Sequence, residues 1–229
     1  MATRVAPPDP ADYRRLQAAY QQSLRCAEDV RRLYQQLQRS ICQSLLALAS
    51  ALEAKDAYTH GHSARVAELS RRIAMAVGLD GDDVAAIGEA GLLHDIGKIG
   101  VPEPTLRKPG PLTEDEWQTM RRHPVVGAQI VAPVDVFARA SPLIRHHHER
   151  WDGSGYPDGL AGHAIPFGAR IVAVADVFDA LTSTRPYRAP VGRDAALAHL
   201  LAEAGRTLDA DVVAASVALL RGHDLTCTP

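Results

Sequence analysis

Residues 169–181 read ARIVAVADVFDAL, an apolar run interrupted only by Arg170, Asp176 and Asp179. Periodicity alone does not separate a buried strand from a buried helix in such a run, but length does, because strands rarely exceed about eight residues. The length of the run and the helical patterns around it make it a helix, and the chain with it all-α. Before it, residues 151–166 hold Gly153, Gly155, Gly159 and Gly162 with Pro157 and Pro166, so they form a loop. Further upstream, Thr113 and Glu116 make a capping box that starts a helix through Trp117 and Met120 toward Val131, with Pro133 ending it. Residues 82–99 carry Val84, Ile87, Leu92, Ile96 and Ile99 on a helical pattern, and residues 59–77 carry another, stopped by Gly78. After the opening stretch, weaker helices are expected over residues 193–204 and 210–220. There is no internal repeat.

The N-terminal quarter is different. Residues 1–10 hold three prolines and no periodic pattern, which predicts a disordered tail. From Asp12 to Glu53 there is neither Gly nor Pro, and Leu16, Tyr20, Ser23, Ala27, Val30, Tyr34, Leu37, Ile41, Ser44 and Leu48 recur at alternating steps of four and three. That is a heptad seam on one long helix, residues 11–52, acting as a helical linker or a coiled coil. Ser23, Ala27 and Ser44 weaken the seam, so a helix lying on its own domain competes with a homodimer, toward which the reading leans. The remaining residues, 53–229, form the main domain.

Composition narrows the function. With 25 Lys+Arg against 27 Asp+Glu the net charge is −2, which gives no sequence-wide electrostatic reason to bind a nucleic-acid polymer or an anionic membrane. No apolar run is long and uninterrupted enough to suggest a membrane span, and residues 1–10 lack the apolar core of a signal peptide. Cys26, Cys42 and Cys227 lie far apart, which suits a reducing cytoplasm. The outlier is histidine, with ten residues, three of them consecutive at His146, His147 and His148.

His94 and Asp95 are adjacent, and Lys98 follows at a spacing that lets all three border one pocket. An Asp carboxylate can bridge two ions, which an imidazole does not do. A His-Asp pair alone is usually a surface or packing feature. Here His62, His123, His147, His148 and Asp176 lie on separate segments, and helical bundles collect ligands in their cores from separate segments. Mixed imidazole and carboxylate donors suit Fe or Mn, with Zn as an alternative. Two such ions about 3.5–4 Å apart would hold a hydroxide at neutral pH and clamp a phosphate ester, so hydrolysis of that ester is the natural chemistry. A structural zinc site would need closely spaced Cys ligands, which are absent.

The stretches LLHDIGKIGVPE (residues 92–103), HHERWDGSGYPDGL (147–160) and ARIVAVADVFDALTSTRPYR (169–188), preceded by KDAYTHGHSARVAELS (55–70), resemble an HD-GYP domain of the HD phosphohydrolase superfamily. The resemblance covers residues 53–220. It implies an HD-type helical bundle with a dinuclear or trinuclear metal centre that hydrolyses cyclic di-GMP to pGpG and in some members onward to GMP. Carried over residue by residue, it implies that His62, His94, Asp95 and Asp176 hold one ion and Asp95, His123, His147 and His148 the other. It makes Lys98 a catalytic cation beside the scissile phosphate. It places Gly155 and Tyr156 in a loop that contacts substrate or docks a signalling partner, and Arg185 and Arg188 in the substrate cleft. Some members carry a Glu four residues before the first ligand histidine and bind three ions; this chain has Tyr58 there, so two are expected. His163 stands where many members have Glu. His60, His146, His163, His199 and His223 match no ligand and read as surface or packing residues. The rival readings are a cyclic di-GMP-responsive docking module without strong catalysis and a hydrolase of another nucleotide.

Overall fold

The computed structural model describes residues 9–55, 61–183 and 190–222. Tyr58, His60, Arg185, Arg188, His223, Cys227 and residues 1–8 of the expected tail lie outside them. Helix α1 spans Pro10–Lys55, α2 His62–Ala76, α3 Gly81–Leu93, α4 Glu103–Leu106, α5 Glu114–Met120, α6 His123–Val131, α7 Ser141–His146, α8 Phe167–Thr182, α9 Arg193–Glu203 and α10 Ala210–Gly222. No strand forms among the described residues, so the all-α expectation holds.

The chain divides into two compact units, one ending at Ser44 and one starting at Leu45. The first holds residues 10–44 of helix α1, which opens with Pro10 in its first turn, where a missing N–H costs nothing, and with Asp9 accepting from the Ala11 N–H at 2.8 Å. Leu16, Tyr20, Val30, Tyr34 and Leu37 of its seam are each more than half exposed.

In the second unit α2, α3 and α8 pack together at the centre. Ile171, Val172, Val174, Ala169 and Ala175 of α8 are fully buried. A helix buried on nearly every side has no need of a polar stripe, which is why residues 169–181 lack a clear amphipathic period. Gly91 lets α3 approach α2, since a Cβ there would lie 3.0 Å from the Ala67 Cα. Helices α9 and α10 pack on α8, α10 also on α2, and their Ala196, Leu197, Leu200, Val212, Val213 and Val217 are buried.

Two helices end earlier than their sequence patterns suggest. The helix expected over residues 82–99 stops at Leu93, and Ile96–Gly100 form a tighter 3-10 turn closed by Lys98 N–H to Asp95 O at 2.9 Å. Close packing explains the change: a Cβ on Gly97 would sit 1.9 Å from the His123 carbonyl oxygen, so this turn lies directly against α6. The capping box at Thr113 forms with both of its hydrogen bonds, but its helix ends at Met120 and a separate helix starts at His123. Pro124 in the first turn of α6 cannot donate to a preceding helical turn, so the break falls just before it.

Candidate metal centre

Each histidine of the centre is delivered by a helix end. His62 is the first residue of α2 and follows Gly61, whose φ of 70° is a left-handed turn suited to glycine. His94 caps α3, His123 opens α6, His147 caps α7, and His148 follows it. Asp176 projects from the middle of α8, and Asp95 stands at the entry to the 3-10 turn. Ligand atoms of His62, His94 and Asp176 lie within 4.8 Å of one another; so do those of His94, Asp95 and His147, and those of His123, His147 and His148. The seven residues singled out in the sequence as metal ligands thus meet in one buried cluster.

The imidazoles are oriented by the groups behind them. Nδ1 of His94, His123 and His147 each faces the carbonyl oxygen three residues earlier, at 2.8, 2.8 and 2.7 Å. A carbonyl only accepts, so each Nδ1 carries the proton and each Nε2 presents a lone pair. Nε2 of His123 and of His147 stand 3.4 Å apart. Two lone pairs at that distance repel unless a cation lies between them, so this donor set fits a metal ion. Burial pushes the pKa of His123 down to about 4 and that of His148 to about 3, and that of His147 well below its ordinary value, which keeps all three neutral and able to ligate.

The carboxylates divide the cluster in two. Asp95 Oδ2 lies 3.5 Å from His94 Nε2, and Asp95 Oδ1 lies 3.4 Å from His123 Nε2, so one carboxylate faces both halves. Asp176 Oδ1 is 3.3 Å from His62 Nε2 and 4.0 Å from His94 Nε2. Burial works to raise the pKa of Asp95, but Lys98, His94 and His123 outweigh it and hold the group well below the usual carboxylate range. The Lys98 ammonium donates to Asp95 Oδ2 at 2.7 Å, so its salt bridge is to a site carboxylate and not to a surface acid.

Sequence reasoning missed the support behind His62. Asp179, one turn beyond Asp176, accepts from His62 Nδ1 at 2.7 Å, and Arg65, one turn beyond His62, clamps Asp179 with Nε at 2.6 Å and Nη2 at 3.1 Å. Ser183 Oγ donates to the same carboxylate at 3.0 Å. Burial opposes protonation of His62, yet its bonds to Asp176 and Asp179 outweigh burial and lift its pKa to about 9, so without an ion its Nε2 carries a proton toward Asp176, and a metal bound there would take that proton's place. The usable signal was the i, i+3 spacing of both pairs, which puts each supporting residue on the same helix face as its ligand.

The glycine-rich loop is folded back over His148. A Cβ on Gly155 would lie 2.3 Å from the Arg150 nitrogen and 2.6 Å from the His148 carbonyl oxygen, so its role is close approach of two backbone segments. The Tyr156 ring lies 4.9 Å from that of His148, and the Arg121 guanidinium sits 5.7 Å from the other ring centre of this pair, that of Tyr156. Glu149, buried and also missed, accepts from the Asp158 and Leu160 N–H groups at 2.7 and 3.0 Å and so holds the loop closed. His163 packs its edge against Trp151, with ring centroids 5.1 Å apart, and His146 binds Asp158 at 2.9 Å.

The HD domain family model matches residues 47–212, and the chain belongs to that family. The HD-GYP branch resemblance agrees with its relatives. The cyclic di-GMP phosphodiesterase response regulator RpfG of Xanthomonas campestris is 48% identical over 183 residues, covering 79% of this chain and 48% of the relative. The 3'3'-cGAMP-specific phosphodiesterase 2 of Vibrio cholerae is 39% identical over 168 residues, covering 72% of this chain and 32% of the relative. The chain therefore spans about half the length, or less, of these curated relatives. Among solved structures, a cyclic GMP-AMP-specific phosphodiesterase of V. cholerae superposes with a TM-score of 0.63 at 19% identity, over 79% of this chain and 48% of that one, which shows the shared fold.

Proposed function

We propose that this chain is a metal-dependent phosphodiesterase that opens cyclic di-GMP to pGpG, with further cleavage to GMP as a second step. The observation that carries the proposal is the split of Asp95, one oxygen toward His94 and the other toward His123, inside a ring of inward-facing Nε2 lone pairs. The name of the X. campestris relative supports the substrate. His62, His94, Asp95 and Asp176 hold the first ion and Asp95, His123, His147 and His148 the second, with Fe or Mn as the metals that suit mixed imidazole and carboxylate donors and Zn the alternative.

Two divalent ions bound here supply Lewis acidity toward the phosphodiester and a nucleophile from water at neutral pH. The chain's own residues do the rest. Asp95 aligns both halves of the centre, and Asp179 fixes the ring of His62. Lys98, beside the bridging carboxylate, neutralises charge that develops on the phosphoryl oxygens and delivers a proton to the departing sugar oxygen. Arg185 and Arg188, outside the described residues, have the planar guanidinium that suits two-point phosphate contact. Tyr156, against His148, borders the substrate.

The V. cholerae relative named for 3'3'-cGAMP favours a second reading, hydrolysis of a mixed cyclic dinucleotide by the same chemistry. A docking role for the Gly155–Tyr156 loop toward a signalling protein, a helical linker over residues 11–52 that dimerises through its exposed seam, and a cytoplasmic location complete the proposal. No helix among the described residues is long and apolar enough to cross a membrane. Light scattering tests the dimer, and a monomer at high concentration refutes it. For the activity, protein purified anaerobically with Fe or Mn is offered cyclic di-GMP, 3'3'-cGAMP and cyclic di-AMP, with products resolved by chromatography. Conversion of cyclic di-GMP to pGpG as the fastest reaction is expected, and absence of any cyclic dinucleotide turnover contradicts the reading.

A further inference from the structure

Beside the metal cluster lies a cavity of about 400 Å³, a volume within the range of small-molecule sites. Its walls include His148 and Asp176 of the cluster, Arg150, and the end of α9 with the turn after it, through His199, Glu203 and Arg206. A nucleotide lying in this cavity with its phosphate at His148 and Asp176 would have its nucleoside beside α9. Residues 193–206 attracted no functional reading from the sequence, and no metal ligand comes from them.

Glu203 is the unusual member of that wall. Its side chain is only 15% exposed, and it is fixed in place: Oε1 accepts from Arg206 Nη2 at 2.6 Å and Oε2 from Thr207 Oγ1 at 2.5 Å. Each carboxylate oxygen has two acceptor sites, so after these bonds one remains on each oxygen. A pair of acceptors in one plane matches the Watson–Crick edge of guanine, where N1–H and the 2-amino group both donate. Adenine presents an acceptor at N1 and no 2-amino group, so it would set lone pair against lone pair.

We propose that this cavity is a purine subsite and that Glu203 is a specificity-determining residue that selects guanine over adenine. The inference rests on the phosphodiesterase reading, and deepens it by naming the base. Arg206 holds Glu203 against the turn, so its part is positioning. A matched bidentate pair discriminates between bases by about tenfold or more.

The test is calorimetric titration of GMP, IMP and AMP into the metal-loaded full chain, which reads base preference without hydrolysis. GMP is expected to bind at least about tenfold more tightly than AMP. IMP, which keeps N1–H and lacks the 2-amino group, should fall between them. Glu203→Ala and Glu203→Gln should bring the three nucleotides level, with metal content and melting temperature showing that each variant is folded. The Gln variant keeps the side-chain volume and an acceptor for Arg206. Equal binding of GMP and AMP by the wild-type chain overturns the assignment without any variant, as does a GMP preference that survives both substitutions. A chain that prefers GMP in this way yet hydrolyses no cyclic dinucleotide supports the subsite and overturns the phosphodiesterase reading, so the two failures are distinct.

Discussion

Asp95 and Lys98 touch at 2.7 Å, yet their substitution should have separable effects. Replacing Asp95 by Asn removes the charge that faces both halves of the centre, so metal content falls and turnover drops by about 10²-fold or more. Replacing Lys98 by Ala leaves the donor atoms in place, so metal content stays and turnover falls by about 10²-fold. Metal analysis beside turnover distinguishes them, and a Lys98→Ala protein that loses its metals would contradict the assigned role. Asp179→Asn is subtler. It keeps the shape but weakens the acceptor behind His62, and loss of such an outer partner lowers metal affinity about 10–100-fold. Competition with a chelator measures this, and an unchanged affinity would make Asp179 a packing residue only. At this scale the residues that gather in the cluster were legible in the sequence because family motifs mark them; Asp179, Arg65 and Glu149 were not, because a supporting carboxylate or guanidinium looks like any helix charge until its partner, more than a hundred residues away for Asp179, is placed beside it.

At the scale of elements, helix α8 was legible from its length and composition, and the Thr113 capping box from local chemistry alone. The ends of α3 and of the Thr113 helix were not, because each is set by a neighbour. Leu93 ends α3 where the chain must turn against α6, a constraint between segments that periodicity does not carry. Gly97 is the residue through which the two meet, and its substitution tests the point. In Gly97→Ala the added Cβ would collide with the His123 carbonyl at 1.9 Å and with the Gly127 nitrogen at 2.5 Å. Backbone, not a flexible side chain, must give way, so a loss of at least about 3 kcal/mol is expected, read as a melting temperature lower by about 5 °C or more. Separation of Asp95 from His123 should also lower metal content in whatever protein remains folded. A variant with wild-type melting and full metal content would show that the contact is dispensable.

For the whole molecule, the fold gathers these side chains around one polar centre from α2, α3, α6, α7, α8 and the residues that follow α3 and α7, and Asp95, Asp176, His62, His94, His123 and His147 each have a hydrogen-bonding or ionic partner that makes their burial tolerable. The seam of α1 as far as Ser44 lies in the other unit, and none of the seven residues of the cluster comes from it. The account stands or falls on whether the chemistry needs a pair of ions. Metal-free protein titrated anaerobically with Mn²⁺ or Fe²⁺, with cyclic di-GMP turnover followed at each addition, measures this directly. Turnover is predicted to stay low through the first equivalent and to reach its plateau as the second is bound. A plateau after one equivalent, a requirement for three, or no turnover at any loading would contradict it.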